Sequence, residues 1–325
     1  MIFEDWRDTD AAEFERLYEA ECERYRTQLS WDLAPSCVIV EEARRAGRLP
    51  GLVVRNTEGR AVGWTYFVVH EGTLQLGTLV ADSAARLREL LDRVMQSPEA
   101  RFARSLSSFL FPISPSLLSA FERQRFVVER HPYLSSPLVA ASGALSPGGL
   151  GPEFRLQPLM DVDPADVVRL TARSYAGLAE ARCFAPDGRL DQWAHYLGQL
   201  LATPACGSYL PQASFAIERR ESRQVVGAVI TTAVAPETAH IAQIVVDPSI
   251  RRAGLARELL GSVADTVRAM GYLRLTLIVS DRNGPARQLY AKLGFSETAS
   301  FFFASRPALS RRSFQTASQV AAARG

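Results

Sequence analysis

Apolar and polar residues alternate along the first part of the chain in patterns that predict both strands and helices. Period-two alternation is typical of half-buried strands, and apolar residues three or four positions apart are typical of helices packed on a core. A helix is expected after Asp8 or Asp10, buried through Phe14, Leu17 and Tyr18. The elements that follow are predicted strands over 51–56, 60–69 and 73–80, a helix over 84–96, a strand over 105–111, a helix over 116–124 and a strand over 126–134.

The same order of elements recurs in the second half of the chain. The sequence D-V-D-P-A-D-V-V-R-L at 161–170 resembles D-T-D-A-A-E-F-E-R-L at 8–17 and predicts a second capped helix. The elements beyond it are a predicted helical region over 175–201, strands over 213–218, 225–234 and 241–246, a helix from Gly254, a strand over 273–279, a helix over 285–293 and a strand over 295–303. Each half is predicted as β-α-β-β-β-α-β-α-β, so the chain carries an internal duplication.

Chain length agrees with two domains, because 325 residues exceed the roughly 150 residues typical of one core. The glycine, proline and serine content of A-S-G-A-L-S-P-G-G-L-G-P predicts a linker between them. We therefore expect an α/β (α+β) protein with domains at 1–140 and 153–305, a linker at 141–152 and a flexible tail at 306–325.

The composition is that of an ordinary globular protein and gives no argument for a nucleic-acid or membrane partner. The formal net charge is +2, with 47% hydrophobic and 22% charged residues. Cys22, Cys37, Cys183 and Cys206 form no C-x-x-C pair and complete no zinc pattern with histidine, so no metal is expected. The N-terminus lacks the features of a signal peptide, and no apolar run approaches the ~20 residues that span a bilayer. A cytoplasmic location is expected, and the oligomeric state stays open.

The stretch at 241–260 combines a predicted buried strand, a turn and a glycine at the start of a helix. Its sequence is I-A-Q-I-V-V-D-P-S-I-R-R-A-G-L-A-R-E-L-L. The first N–H groups of a helix are unpaired and attract phosphate, and three nearby arginines add positive charge. Alone, such a pattern is more often an ordinary helix start with solvated arginines. A Walker P-loop and a G-x-G-x-x-G dinucleotide motif are both absent from the stretch.

Two motifs in this half resemble those of the GNAT superfamily of acyl-CoA N-acyltransferases. V-V-D-P-S-I-R-R-A-G-L-A at 245–256 is similar to motif A, Q/R-x-x-G-x-G/A, and N-G-P-A-R-Q-L-Y-A-K-L-G-F at 283–295 is similar to motif B. Both occur in the family's order, with a predicted strand between them, which is more specific than either alone. The resemblance implies two GNAT-like domains, each a mixed, mostly antiparallel central sheet flanked by helices.

The resemblance also implies a site for acetyl-CoA and roles for individual residues. Tyr290 corresponds to the tyrosine that protonates the departing thiolate, although a core aromatic is the alternative for this position. The N–H of Val245 or Val246 could hold the oxyanion. The residues implied to bind the cofactor are Ile244, Val245 and Val246 for pantetheine, Arg251, Arg252, Ala253, Gly254, Leu255, Ala256 and Arg257 for pyrophosphate, and Asn283 for a further polar contact.

The general base is not evident from the sequence. Some GNAT members carry a glutamate on the motif A strand, but the nearest residue here is Gln243, which cannot accept a proton at neutral pH. His240, Glu180 and His195 are candidates, although a lone histidine or glutamate is more often structural. A desolvated amine that loses its proton through water is an equally good account.

The first half lacks the residues that carry this chemistry. Its alignment places Phe121 where the second half has Tyr290 and Ser114 where it has Asn283, and only A-D-S-A separates its strand from its helix. We therefore expect a degenerate GNAT-like first domain and one acetyl-CoA site in the second, serving an N-acetyltransferase with a small-molecule or peptide amine as acceptor. A non-catalytic acyl-CoA sensor or scaffold is the alternative, and a nucleic-acid-binding protein is disfavoured because no basic stripe is present.

Overall fold

The structure is a computed structural model that describes residues 2–112, 114–138 and 145–307. Two compact units are present. The first contains the chain up to Glu13, Glu42–Glu129 and the chain from Phe302 onward, and the second contains Phe14–Glu41 and Arg130–Phe301. Each unit therefore takes segments from both halves of the sequence.

The first unit is a mixed, mostly antiparallel sheet with helices packed on it. Its strands, in the order in which they lie in the sheet, are β1 (Ile2–Asp5), β2 (Gly51–Arg55), β3 (Ala61–His70), β4 (Thr73–Ala81), β5 (Ser105–Leu110) and the part of β13 (Ser296–Pro307) from Phe302. Its helices are α3 (Ala84–Gln96), α4 (Pro98–Phe102) and α5 (Pro115–Arg123). The predicted antiparallel run of β2, β3 and β4 is confirmed, and β4 and β5 pair in parallel.

The second unit has the same kind of sheet. Its strands, in sheet order, are β13 up to Phe301, β6 (Val127–Pro137) from Arg130, β12 (Arg274–Ile278), β11 (Thr238–Val246), β10 (Val225–Ala235), β9 (Phe215–Arg219) and β7 (Phe154–Pro158), with β8 (Ser208–Tyr209) paired to β10. Its helices are α1 (Ala11–Leu29) from Phe14, α2 (Ala34–Arg45) to Glu41, α6 (Pro164–Tyr175), α7 (Leu190–Ala202), α8 (Leu255–Ala269) and α9 (Gly284–Lys292). Strands β11 and β12 are parallel, and their separation forms the site described below.

Each unit is completed by the last strand of the other half of the sequence. In the second unit, Tyr133–Pro137 of β6 pair antiparallel with Arg274–Ile278 of β12. In the first unit, Phe302–Pro307 of β13 pair antiparallel with Ser105–Leu110 of β5. Period-two alternation is the same whichever strand lies alongside, so the sequence pattern predicts these strands but not their partners.

The apolar positions of the predicted helices form the two cores. Leu87, Leu90, Leu91 and Val94 of α3 are all buried in the first unit, and the corresponding positions of α8 are buried in the second: Leu255, Leu259, Val263 and Val267. Met270, three positions after Val267, is 43% exposed. The reason is that α8 ends at Ala269, after which the helical spacing no longer applies.

Part of the predicted linker packs closely on α8. Leu145 is buried with the α8 core, and a Cβ added to Gly261 would lie 2.3 Å from the nitrogen of Pro147. The N–H of Gly149 donates to Glu258 Oε2 at 2.7 Å. Glycine at 261 therefore permits the close approach of this segment to the helix. Residues 141–144 of the predicted linker and 308–325 of the predicted tail lie outside the described residues.

Helix α2 was not predicted from the sequence. Its residues A-P-S-C-V-I-V-E-E-A-R-R include three consecutive β-branched side chains, and much of the helix is exposed. Consecutive β-branched residues favour a strand over a helix, so the local sequence does not indicate this helix. By contrast, Asp10 does start α1, since its carboxylate accepts from the N–H of Ala12 at 3.2 Å.

Candidate active site

Strands β11 and β12 begin side by side and then part. They pair in parallel only over Thr238–Ile241 and Arg274–Leu277, although β11 continues to Val246. The register between β10 and β11 also shifts at this point, which leaves Ala242 as a bulge. Bulges bend a strand and increase its twist. Since β12 ends at Ile278, the second half of β11 has no β12 partner among the described residues, and we call this unpaired edge the β11–β12 gap.

The backbone of β11 offers N–H groups to this gap. The N–H of Asp247 donates to the carbonyl of Val226 on β10 at 2.8 Å. Because N–H groups point to opposite sides at successive residues of a strand, those of Ile244 and Val246 are directed toward the gap and that of Val245 toward β10. Of the two amides considered for an oxyanion, the geometry favours Val246.

The loop between β11 and α8 has the backbone shape of an anion site. Arg252 and Gly254 both have a positive φ, 69° and 80°, and Gly254 directly precedes α8. Nothing lies within 4 Å of a Cβ added to Gly254, so its φ and not lack of space is what favours glycine there. Amide groups in such a turn, followed by a helix start, form a concave surface that favours negative charge.

The side chains around the loop agree with this character. Arg251, Arg252 and Arg257 are exposed, whereas Leu255 is buried in the core and anchors the first turn of α8. Ala253 is exposed and Ala256 is half-buried, and both side chains are small. The guanidinium of Arg251 also donates to the carbonyl of Ser174 at 3.4 Å.

Asp247 holds the start of the loop in place. Its carboxylate accepts from the N–H and hydroxyl of Ser249 at 3.0 and 2.7 Å, and from Arg173 of α6 at 3.2 Å. Burial alone would raise the pKa of Asp247, but the hydrogen bonds from Ser249 and Arg173 outweigh burial and lower it. The carboxylate stays ionised and ties the loop to α6.

Tyr290 of α9 is buried in the core cluster that also contains residues of β11, β12 and α8. Its side chain is 6% exposed and packs against Phe295 with ring centroids 5.8 Å apart. Asn283 begins the same helix, and its Oδ1 accepts from the N–H of Ala286 at 3.3 Å. Burial raises the pKa of Tyr290, and the nearby Tyr175 raises it further. Tyr290 is therefore a protonated hydrogen-bond donor at neutral pH.

On the other face of the sheet, Gln243 and Tyr175 lie together at the gap. The Tyr175 hydroxyl is 3.3–3.5 Å from the side-chain amide of Gln243. Burial raises the pKa of Tyr175 to about 12, although the hydrogen bond with Gln243 opposes that shift. Cys183 follows in the 3-10 segment Ala179–Cys183, and its Sγ lies 4.0 Å from His131 Nε2.

None of the base candidates named from the sequence is well placed for that role. His240 is 3% exposed, lies against Trp31 and Tyr133 with ring centroids 5.1 and 6.0 Å away, and its Nδ1 is 3.0 Å from Thr276 Oγ1. Burial lowers the pKa of His240 to about 3, so it is a weak base in the core. His195 is exposed on α7, and Glu180 is half-buried in the 3-10 segment.

The first unit has the same framework without these groups. Ser114 begins α5 as Asn283 begins α9, and its hydroxyl accepts from the N–H of Leu117. Phe121 is fully buried against Phe126, in the place that Tyr290 has against Phe295. Only two residues, 82 and 83, separate β4 from α3, whereas 247–254 separate β11 from α8. The first unit therefore lacks both the phenol and the positive-φ loop.

Comparison with known proteins agrees with this geometry. Residues 177–295 match the family model described as Acetyltransferase (GNAT) family. This match makes 177–295 similar to the GNAT family and covers 119 of the 325 residues. A search of curated proteins finds no match to the sequence.

Solved structures with a similar fold include GNAT proteins, one of which is described as a tandem GNAT protein. A GCN5-related N-acetyltransferase from Sphaerobacter thermophilus is 15% identical, with a TM-score of 0.57 over 79% of this chain and 80% of that one. A tandem GNAT protein from the clavulanic acid biosynthesis pathway is 15% identical, with a TM-score of 0.56 over 80% and 83%. A glucosamine N-acetyltransferase region of a fungal GH3 β-N-acetylglucosaminidase is 13% identical, with a TM-score of 0.62 over 94% of this chain and 38% of that protein.

Tyr175 and Cys183 lie in the region 175–210 that the sequence suggests for the acceptor pocket, but neither they nor His131 were singled out as site residues. Tyr175 is the last residue of α6, and the amphipathic pattern of that helix already accounts for Tyr175 as a core residue. Cys183 lies in a segment that has no apolar periodicity. His131 belongs to the half without the motifs and reaches the site because β6 joins the second unit. Within the described ranges, no cluster of His, Cys, Asp or Glu could hold a metal ion, and no helix is long and apolar enough to cross a membrane.

Proposed function

We propose that this protein is a GNAT-type, acetyl-CoA-dependent N-acetyltransferase that acetylates a primary amine by direct attack in a ternary complex. The observation that carries the proposal is the combination, in one unit, of the β11–β12 gap, the positive-φ loop before α8 and the phenol of Tyr290. Each feature suits one part of acetyl-CoA. The backbone edge suits the pantetheine arm, the anion site suits the pyrophosphate, and the phenol is a proton donor for the departing thiolate.

In this proposal each residue around the gap has one role. The free edge of β11 at Ile244, Val245 and Val246 pairs with pantetheine, and the N–H of Val246 stabilises the oxyanion. The amides and side chains of Arg251, Arg252, Ala253, Gly254, Leu255, Ala256 and Arg257 surround the pyrophosphate. Asn283 already uses Oδ1 to begin α9, so its Nδ2 is the group offered to the cofactor.

The chemistry balances around Tyr290. The amine nitrogen attacks the thioester carbon, the tetrahedral intermediate collapses, and the C–S bond breaks. Tyr290 donates its proton to the thiolate as it leaves and recovers a proton from the attacking nitrogen through water. Burial raises the pKa of Tyr290, so the phenol is still protonated when the thiolate leaves. In this proposal the domains are 1–140 and 153–305, and the first of them has no acetyl-CoA site of its own.

The experiment is CoA release measured with a thiol reagent over a panel of primary amines. The panel includes amino sugars, because one structural neighbour is described as a glucosamine N-acetyltransferase region. We expect at least one amine to accelerate CoA release and to gain an acetyl group by mass. Acetyl-CoA binding without acceleration by any amine would favour the alternative, a non-catalytic acyl-CoA sensor or scaffold.

A further inference from the structure

His131 lies on the face of the second unit's sheet that carries Tyr175 and Gln243. The carbonyl of Pro132 accepts from the N–H of Val279 at 3.1 Å, and that of Arg130 accepts from the N–H of Asp281 at 3.0 Å. These bonds place His131 beside Ser280, directly beyond the end of β12. Since side chains alternate along a strand, His131 shares the face of Tyr133, whose ring stacks on His240.

The imidazole is enclosed at this position. Its residue is 4% exposed, and Nε2 faces Cys183 Sγ at 4.0 Å. Cys183 is in turn near enough to Tyr175 to raise the pKa of that phenol. His131, Cys183, Tyr175 and Gln243 are thus linked by successive contacts on the sheet face opposite α8, and we call these four residues the rim.

We propose that His131 is the general base of the acetyl transfer: its Nε2 takes a proton from the acceptor ammonium, directly or through one water. This inference rests on the proposed function and supplies the base that β11 lacks at Gln243. In the step, R–NH₃⁺ gives one proton to His131, and the free amine attacks the thioester carbon. The C–S bond breaks as Tyr290 protonates the departing thiolate, and the new amide nitrogen returns its extra proton to Tyr290 through water. The protonated imidazole then releases its proton to solvent, and no further reactant is needed.

Histidine suits this role because imidazole is the side chain that most often acts as a general base in enzymes. The ionisable groups on the second-unit segments that carry or neighbour the rim are Cys183, Glu180 and Arg182 of the 3-10 segment, Tyr175 of α6, His240 of β11, Tyr290 of α9, Asp281 beyond β12, and Arg130 and Tyr133 of β6. Asp281 and Arg130 form an ion pair at 3.4 Å, and Arg130 also pairs with Glu297.

The test compares pH profiles of kcat/KM for wild type and His131→Gln, with an amine that the wild type acetylates. Near pH 7 the variant should be about 100-fold slower. Its rate should recover as pH approaches the amine's own pKa of about 10, since the acceptor then arrives unprotonated. Added imidazole should partly restore His131→Ala, which a purely structural role would not allow. His70→Gln and His195→Gln, at two exposed histidines, are the matched controls and should keep the wild-type profile.

The possible failures are distinguishable. A wild-type protein that releases no CoA with any amine would contradict the proposed function itself. If His131→Gln keeps the activity and the pH profile of the wild type, His131 is not the general base, although the proposed function still holds. If Cys183→Ala loses activity while His131→Gln stays active, the base assignment is also wrong, and an acyl-cysteine intermediate is indicated instead. If the His131 variants do not fold, the ¹⁵N ring signals of wild-type His131 decide. A neutral ring with an unprotonated Nε2 near pH 7 supports the base, and an Nε2–H tautomer or a cation contradicts it.

Discussion

Replacing Tyr290 by phenylalanine is expected to lower kcat about 100-fold, because general acids contribute factors of about 10² to 10⁴. That loss corresponds to about 2.7 kcal/mol of transition-state stabilisation. The affinity for acetyl-CoA should change little, since the substitution removes one hydroxyl and keeps the ring packed against Phe295. Steady-state kinetics together with a calorimetric titration of acetyl-CoA separate the two quantities.

The matched control is Tyr272→Phe. Tyr272 packs against the same core cluster as Tyr290, and the substitution removes a hydroxyl of the same kind. It should leave kcat unchanged. If Tyr290→Phe also keeps full activity over the whole pH range, Tyr290 is a core aromatic and another group protonates the thiolate.

Replacing Gly254 by valine is expected to weaken acetyl-CoA binding at least about tenfold. The residue has a φ of 80°, which a β-branched side chain adopts only at a cost on the order of 1–3 kcal/mol. Relief of that strain would rotate the amides at the start of α8 away from the direction they share now. The measurement is the dissociation constant of acetyl-CoA by calorimetry.

The chain provides a control for this substitution at the other end of the same helix. Gly271 follows α8 with a φ of 91°, and it also has no atom within 4 Å of an added Cβ. Gly271→Val should therefore lower the thermal stability about as much as Gly254→Val does, without affecting the binding of acetyl-CoA. Equal affinities in both variants would mean that the β11–α8 loop is not the phosphate site.

The sequence pattern predicted most elements because local physics determines them. The helix over 84–96 was predicted with its observed limits, since Ser83 caps it and its apolar stripe is regular. The correspondence of Ser114 with Asn283 and of Phe121 with Tyr290 also holds in the structure, where each pair occupies the same place in its helix. These features depend on neighbours within a few residues.

The remaining features depend on contacts between distant parts of the chain. The alternation of apolar and polar residues predicted β6 and β13 as strands. It could not say which sheet each strand joins, because the pattern does not depend on which strand lies alongside. For that reason His131 was assigned to the half without chemistry, although it lies at the gap of the second unit. The burial of His240 was equally hidden, since Trp31 and Tyr133 approach it from distant segments.

The central claim is that the chain binds one acetyl-CoA, at the β11–β12 gap of the second unit. Hydrogen exchange with and without acetyl-CoA, read by mass spectrometry alongside calorimetric stoichiometry, tests it most directly. We expect one equivalent to bind and protection to appear over 242–257 and 283–290. Protection over the equivalent segments 77–86 and 114–121 of the first unit, or binding of a second equivalent, would contradict the account.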